Sequence, residues 1–285
     1  MKSSSSTRKI AKIIEPQNVV EGAGVRLKRS IGGHALNYLD PFLLLDHFQS
    51  TNPADYQAGF PLHPHRGIET VTYLLTGAVR HRDSVGNTGE IGPGDLQWMS
   101  AGRGILHEEM PQVRPEGVAG FQLWVNLPAK QKMSAPRYQN IHSSEIPIIE
   151  RGRGASVRVI AGTVDGTTGP ITGIVAEPSY LDVALAGEGS LVLPIPPGHS
   201  AFAYLFDGEA RFGATERTLV TAPRLIVWGD GGSVEVHAEK NPTRFLLVSG
   251  KPLNEPIARY GPFVMNTPQE IQQTLRELQQ GTFAQ

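Results

Sequence analysis

The sequence contains no cysteine among its 285 residues. This absence excludes disulfide bonds, thiolate catalysis and zinc held by sulfur ligands. Charge of one sign is also lacking, because 26 basic and 27 acidic residues leave a net charge of −1. A one-sided basic surface for nucleic acid is therefore not expected. No run approaches the ~18 apolar residues of a membrane-spanning helix, so we expect no membrane partner.

The N-terminus is polar and basic from Met1 to Lys9, and no apolar stretch of signal-peptide length follows it. We expect a short disordered tail there. In the absence of an import or export signal, the expected location is the cytoplasm.

Glycine and proline are abundant, at 32 and 22 residues, and they separate short runs of β-forming residues. Such runs occupy residues 69–75, 121–125 and 245–248, with turn sequences such as Gly-Pro-Gly-Asp at 92–95 between them. Regularly spaced short strands predict a sandwich or barrel. Only the C-terminus predicts a helix, with Thr267 as its cap and Gly281 after its end.

The two halves of the chain resemble each other. The matching landmarks, at offsets of 131 or 130 residues, are Tyr73 and Tyr204, Trp98 and Trp228, and His107 and His237. A near-constant offset predicts a duplicated β-barrel unit. Residues 129–153 break the strand pattern, so we expect an N-terminal domain at residues 1–140 and a C-terminal domain at 141–285 that ends in the helix.

Two short strings supply four candidate metal ligands. His63 and His65 are separated by one residue, as are His107 and Glu109. Alternate side chains of a strand share a face, so each pair can converge on one point. Three imidazoles and a carboxylate bind a divalent first-row metal and leave positions open for substrate and O₂. Each pair alone is a weak signal, since nine histidines produce His-x-His by chance about 0.3 times.

Longer strings around these residues resemble a known family. The pattern His63-x-His65-xxx-Glu69, followed by Gly77 and then by Gly102-x-Gly104-xx-His107, is similar to the two motifs of the cupin β-barrel. The strings at residues 39–44, 63–71, 94–99, 101–107 and 261–267 are similar to those of the pirin family. The resemblance runs from about residue 29 to the C-terminal helix.

This resemblance implies an all-β fold of two tandem cupin (double-stranded β-helix, jelly-roll) barrels with a short C-terminal α-helix. It places the metal ligands at His63, His65, His107 and Glu109. Glu69 is outside that set, which implies a role behind the metal or in proton handling. One divalent transition metal is expected, with Fe²⁺ first, although Mn, Co, Ni, Cu and Zn also accept mixed nitrogen and oxygen ligands.

The C-terminal half departs from the metal-binding pattern. Pro194 and Pro196 stand where the first pair of histidines would be repeated, although His237 and Glu239 match the second pair. Two ligands make a poor closed site. We therefore expect His237 and Glu239 to be surface residues, and the resemblance likewise implies a second barrel without a complete metal site.

Other residues of possible chemical use have weaker support. The histidines that lack a partner at ligand spacing, and that we expect to be satisfied or solvated, are His34, His47, His81, His142 and His199. Arg66 and Arg103 leave two roles open, contact with substrate or pairing with carboxylates. Trp98 and Trp124 lie on predicted strands, and we expect them in the core.

Three functional hypotheses follow from the resemblance. Several pirins act as quercetin 2,3-dioxygenases, which implies cleavage of a flavonol by O₂ with release of carbon monoxide. Glu109, or Glu69 behind it, would then take the proton of the 3-hydroxyl. The second hypothesis is a non-enzymatic, iron-dependent redox sensor that binds a protein partner, either a transcription factor or a metabolic enzyme. The third is a metal-dependent cupin acting on another enediol or phenol.

Overall fold

The structure is a computed structural model that describes residues 6–284. Within this range it contains 25 β-strands, three short 3-10 turns and one α-helix. The frequent turns keep the strands short, and all but one have nine residues or fewer.

The first twelve strands are β1 (Ile10–Ile14), β2 (Gln17–Glu21), β3 (Val25–Ile31), β4 (Phe42–Ser50), β5 (Phe60–His65), β6 (Ile68–Thr76), β7 (Val79–Asp83), β8 (Thr88–Ile91), β9 (Leu96–Ser100), β10 (Ile105–Pro111), β11 (Val118–Asn126) and β12 (Arg137–Ile141). The next thirteen are β13 (Ile148–Arg151), β14 (Arg153–Ala161), β15 (Thr163–Val164), β16 (Thr167–Thr168), β17 (Ser179–Pro194), β18 (Ser200–Asp207), β19 (Glu209–Phe212), β20 (Thr218–Thr221), β21 (Arg224–Trp228), β22 (Ser233–Ala238), β23 (Thr243–Gly250), β24 (Ala258–Tyr260) and β25 (Phe263–Met265).

The helix, α1 (Pro268–Gln280), begins and ends where the sequence predicts. The Thr267 side chain accepts a hydrogen bond from the backbone N–H of Glu270, and the Glu270 side chain accepts one from the backbone of Thr267. This reciprocal cap satisfies amides that a helix N-terminus otherwise leaves unpaired. Gly281 ends the helix at a φ of 71°, a left-handed conformation that favours glycine.

The described chain forms two compact units, each with its own barrel. The N-terminal barrel comprises Gln17–Ser143 and the residues from Leu253 onward, and the C-terminal barrel comprises the residues up to Pro16 and Ser144–Pro252. An all-β fold with two barrels and a C-terminal helix is thus confirmed. The domains at 1–140 and 141–285 stay a prediction, and the compact units differ from them, since β1 lies in the C-terminal barrel and α1 in the N-terminal one.

Helix α1 lies with the N-terminal barrel because its apolar face packs there. Ile271, Leu275 and Leu278 join a cluster with Phe263 of β25 and Leu106 of β10. The periodicity of the sequence shows that the helix has an apolar face, but it does not show which surface covers that face.

Two antiparallel sheets build the N-terminal barrel. The larger has the strand order β12-β9-β6-β11-β4-β3-β2, and the smaller has the order β5-β10-β7-β8. Successive residues of a strand face opposite sides of the sheet, so each sheet turns one set of side chains into the barrel. The buried apolar cluster in this interior contains Val25, Leu27, Tyr56, Leu74, Val79, Ile91 and Val118.

The C-terminal barrel is a single curled sheet of ten strands. The long strand β17 pairs with three strands. On one side residues 179–185 pair with β23 and residues 190–194 pair with β22, and on the other side the strand pairs with β14. Its interior is filled by apolar side chains such as those of Leu193, Val236 and Phe245.

The N-terminal segment is part of this fold. Arg8 is 2% exposed, and its guanidinium donates to the carbonyl oxygens of His199 at 2.7 Å and Gly231 at 2.9 Å. The predicted disordered tail is therefore wrong for residues 6–9, because buried carbonyls provide hydrogen-bond acceptors for this arginine. Residues 1–5 of the predicted tail lie outside the described residues.

Among the described residues, no helix is both long enough and apolar enough to span a bilayer. The cytoplasmic location and the expected lack of a nucleic-acid partner stay predictions.

Candidate metal centre

Pairing of strands β5 and β10 brings the three candidate histidine ligands together. The two strands are antiparallel neighbours, with His63 opposite His107 and His65 opposite Ile105. Because His63 and His65 are two residues apart, they share the face on which His107 lies.

The imidazole rings form a tight cluster. Their centroids are 4.8 Å apart for His63 and His65, 4.5 Å for His63 and His107, and 5.0 Å for His65 and His107. One ligand nitrogen from each ring lies within 4.8 Å of the other two. The Nε2 atoms of His63 and His65 are 3.0 Å apart. These spacings let a single cation reach all three rings.

Burial keeps two rings of the cluster, those of His65 and His107, in the neutral form. His65 and His107 are 2% and 1% exposed. Burial, together with the neighbouring His63 and His81, lowers the pKa of His107 to about 3. Burial and the other two rings also hold the pKa of His65 well below its ordinary range. Neutral imidazole is the form that binds a metal ion.

The hydrogen bonds of the cluster fit a metal ion. The Nδ1–H of His63 donates to the Pro61 carbonyl at 2.8 Å, which leaves the lone pair of Nε2 for the cluster. Both ring nitrogens of His107 are buried, and among the described residues neither has a hydrogen-bond partner. An unpaired buried polar atom costs about 1–3 kcal/mol, and a cation coordinated by one of these nitrogens removes that cost in part.

Glu109 lies beside the cluster but is not part of it. It shares the buried face of β10 with His107, and its Oε1 accepts a hydrogen bond from the Thr72 hydroxyl at 2.8 Å. Among the described residues, the group whose ligand atoms all lie within 4.8 Å of one another contains the three imidazoles and not Glu109. The pairing of β10 with β5 is also irregular between His107 and Glu109. Glu109 as a fourth ligand therefore stays a prediction.

Glu69 lies on the face of β6 opposite the face that carries Thr72. Thr72 and Glu69 are three residues apart on β6, so their side chains point to opposite faces. Glu69 is 3% exposed and accepts a hydrogen bond from the Ser100 hydroxyl at 2.6 Å. Burial raises its pKa, against the effect of that hydrogen bond. This placement does not support the predicted role of Glu69 behind the metal or in proton handling.

A cavity of about 540 Å³ opens beside the cluster, and His63, His65 and Glu109 line it. Thr72 and Gln122 form its polar wall and are hydrogen-bonded to each other at 2.7 Å. The sequence reasoning missed both residues. They face each other on β6 and β11, and alternation along either strand does not show which face is internal.

The two tryptophans differ in their surroundings. Trp98 is 1% exposed, as a core residue should be. Trp124 lines the cavity, and its ring meets that of His65 edge-on at 5.2 Å. The core prediction for Trp124 is therefore wrong, because its face of β11 borders open space.

Two family models match most of the chain. The Pirin model matches residues 24–125, and the model of the Pirin C-terminal cupin domain matches residues 180–284. The chain belongs to the pirin family. The predicted tandem cupin architecture is confirmed with it.

Individual relatives of this pirin cover nearly the whole chain. A pirin-like protein from Caulobacter vibrioides is 43% identical, with 97% of this chain and 99% of the relative covered. Pirin from Homo sapiens is 44% identical, with 95% and 92% covered. The crystal structure of a quercetin 2,3-dioxygenase from Acinetobacter baumannii superimposes with a TM-score of 0.88 at 34% identity, covering 98% of this chain and 99% of that one.

The arginines near the ligands of this pirin have structural partners. Arg66 is buried, its Nη1 lies 2.7 Å from the Glu277 carboxylate, and its Nη2 donates to the Phe283 carbonyl at 3.0 Å. Of the two roles considered for Arg66, substrate contact and carboxylate pairing, the structure shows carboxylate pairing. This pairing connects the residue after β5 to the C-terminal segment. The Arg103 side chain is exposed.

The five histidines without a partner at ligand spacing divide into exposed and buried ones. His34 and His142 are exposed, and His47 is buried with its ring stacked on Phe121 at 4.8 Å. His81 does not fit the prediction of a satisfied or solvated ring, since it is buried and, among the described residues, neither of its nitrogens has a hydrogen-bond partner. His199 is also buried, and its Nδ1 has no hydrogen-bond partner among the described residues.

Proposed function

We propose that this pirin is a metal-dependent dioxygenase that cleaves flavonol-type phenols with O₂ and releases carbon monoxide. The observation that carries the proposal is the cluster of three imidazoles that opens onto a 540 Å³ cavity. The likeness to a quercetin 2,3-dioxygenase structure at 34% identity supports the same reaction class.

His63, His65 and His107 would hold the metal, and Glu109 is the candidate fourth ligand. When bound, a redox-capable divalent ion such as Fe²⁺ supplies Lewis acidity toward an enolate or phenolate oxygen and a route for electrons to O₂. Three neutral imidazoles leave most of the charge of the cation in place, which favours an anionic oxygen ligand.

The protein side chains would bind and deprotonate the substrate. The carboxylate of Glu109 faces the cavity and accepts the proton of the flavonol hydroxyl, while the Thr72 hydroxyl fixes one of its oxygens at 2.8 Å. The cavity volume is in the range of small-molecule sites, and apolar side chains such as Leu27 and Phe48 line it to shield the reacting atoms from water.

The test is an incubation of the Fe²⁺-loaded protein with quercetin, with and without air. We expect loss of the flavonol absorbance only in air, with one carbon monoxide released for each O₂ consumed. The variant His63→Ala should lose both metal and turnover. If no metal supports O₂-dependent turnover, the proposal is wrong, and redox-dependent binding of a protein partner would then favour the regulator hypothesis, which stays a prediction.

A further inference from the structure

Arg259 of β24 lines the same cavity as the imidazole cluster. Its guanidinium carbon lies over the Trp124 ring, 5.0 Å from the centroid. The same indole meets the ring of His65 edge-on at 5.2 Å. A single aromatic side chain therefore links Arg259 to a proposed metal ligand.

The hydrogen bonds of Arg259 leave part of its guanidinium unused. Nε donates to the Gly261 carbonyl and Nη1 to the Leu43 carbonyl, both at 3.3 Å. Within residues 6–284, Nη2 has no hydrogen bond and Arg259 has no ion pair within 4.0 Å. Arg259 is exposed, so water reaches this Nη2, and the contact with the Trp124 ring restricts where the guanidinium lies.

Arg29 lines the same cavity, but its guanidinium is already paired with carboxylates. It forms a bidentate pair with Asp46 at 2.8 and 2.7 Å and a further bond to Glu21 at 2.7 Å. These two carboxylates are therefore already engaged by Arg29. They act on Arg259 only through space, while burial and the charge of Arg29 lower the pKa of Arg259.

One singly charged anion can balance the net charge of the cavity when a divalent metal is bound. Apart from the histidines, the charged lining of the cavity consists of Arg29, Arg259, Glu21, Asp46 and Glu109. Two cations and three carboxylates give −1, and a bound divalent metal changes this to +1. A singly charged ligand then brings the charge of the cavity to neutrality, at an end of the cavity where Arg259 is open to solvent.

We propose that Arg259 binds an anionic oxygen, carboxylate or phenolate, on the end of the aromatic substrate that points away from the metal. The inference rests on the proposed function and names its substrate class as planar phenols that carry one ionised group. The free N–H groups on one side of a guanidinium fork suit such an oxygen, and charge-assisted hydrogen bonds are the strong ones.

The test uses the zinc-loaded protein, in which no oxygen chemistry occurs, and measures binding by calorimetry. The probes are 3,4-dihydroxybenzoic acid, 3,4-dihydroxyphenylacetic acid and 3-(3,4-dihydroxyphenyl)propionic acid. Each is compared with its methyl ester, which has the same ring but no charge. We expect at least one acid to bind about 10-fold more tightly than its ester. Arg259→Gln should abolish that preference, and Arg259→Lys should retain only part of it.

Arg80→Gln is the matched control, because Arg80 is an exposed arginine of the same barrel that pairs with Glu90 and does not line the cavity. It should keep the wild-type preference, and all variants should keep the wild-type zinc content. The proposal is overturned if no acid is preferred by the wild type, or if Arg259→Gln keeps the preference unchanged. Failure of the dioxygenase proposal would instead show as absent O₂-dependent turnover, which leaves these binding ratios unaffected.

Discussion

The two barrels share a strand pattern but differ in what faces their interiors. In the N-terminal barrel, the inner faces of β5 and β10 carry His63, His65 and His107 beside a cavity of about 540 Å³. In the C-terminal barrel, β17 and β22 turn residues such as Leu193 and Val236 inward, where they pack in an apolar core. The same architecture thus supports a site where polar side chains face inward and a stabilising core where apolar ones do.

His107 and His237 make this difference concrete. His107 is 1% exposed and points into its barrel. The side chain of His237 is 24% exposed, and its Nε2 lies 2.6 Å from the Glu235 carboxylate, while the adjacent Val236 is buried. His237 and Glu239 are partly exposed, as the sequence predicts. A metal site therefore depends on which face of a strand a histidine occupies, and not on its presence in the strand.

The largest expected effect comes from removing one ligand in each barrel. His107→Ala should weaken metal binding by more than about 100-fold. Loss of a residue that only supports a ligand weakens metal affinity by about 10–100-fold, and a residue that binds the metal directly matters more. His237→Ala should leave the metal content unchanged. Metal analysis after dialysis and calorimetric titration measure both. Full metal content in His107→Ala would break the comparison.

Truncation of a large apolar side chain should be more costly in the filled barrel. Leu193→Ala removes a buried side chain from a packed core, which costs about 2–5 kcal/mol. Leu27 borders the cavity, so Leu27→Ala enlarges existing space and should cost less. Denaturant unfolding of both variants measures the difference. Equal costs would indicate that the cavity is closed by packing in solution.

The pH dependence of stability should report the buried state of His107. The pKa of His107 is lowered from 6.5 to about 3, so the unfolded state binds more protons between these values. The stability of the metal-free protein should therefore fall as pH decreases from about 6.5 toward about 3, by about 1 kcal/mol per pH unit for this residue.

His107→Gln should reduce that slope, because it removes the buried imidazole. Denaturant midpoints measured at pH 4–7 test this. An unchanged slope in His107→Gln would contradict the buried, neutral state of the ring.

Loss of the Thr72 hydroxyl should affect turnover more than metal binding. Thr72→Val keeps the shape of the side chain but removes the hydrogen bond to Glu109. We expect the metal content to be kept and kcat to fall about 10-fold, the lower end for a residue that orients a catalytic group. Thr218→Val, on a strand of the C-terminal barrel, is the control. Steady-state kinetics that showed no change would remove Thr72 from the site.

The smallest effect is expected at Glu69. Its side chain points to the face of β6 opposite Thr72, so Glu69→Gln should leave metal content and turnover within about twofold of wild type. A large loss of kcat with intact metal would restore the proton-handling role that the sequence suggested.

The sequence predicted much of the fold because its signals are local. Alternation and turn residues indicate the strands, and the Thr267 cap and Gly281 mark the ends of the helix. The histidine pairs were also readable, since i and i+2 share a face once the segment is known to be a strand. The surface on which α1 packs could not be predicted from the sequence, because it depends on contacts between residues far apart in the chain.

The offset between the repeats shows why the interior was harder to predict. Trp228 lies in the interior cluster of its barrel, whereas Trp98 is paired with Val71, on the face of β6 opposite Thr72. The offset of 130 thus relates side chains on opposite faces, as it also does for His107 and His237. A slip of one residue reverses every side chain of a strand, and sequence similarity alone does not detect it. Trp124, Thr72 and Gln122 were misplaced or missed because the sequence does not show which face of a strand is internal.

Metal location is the most direct test of the central claim, that three imidazoles of the N-terminal barrel hold one cation. A crystal of the metal-loaded protein, measured at the absorption edge of the metal, should show one ion per chain within about 2.0–2.2 Å of a nitrogen from each of His63, His65 and His107. An ion bound elsewhere, or those three side chains turned away from a common ion, would contradict the account.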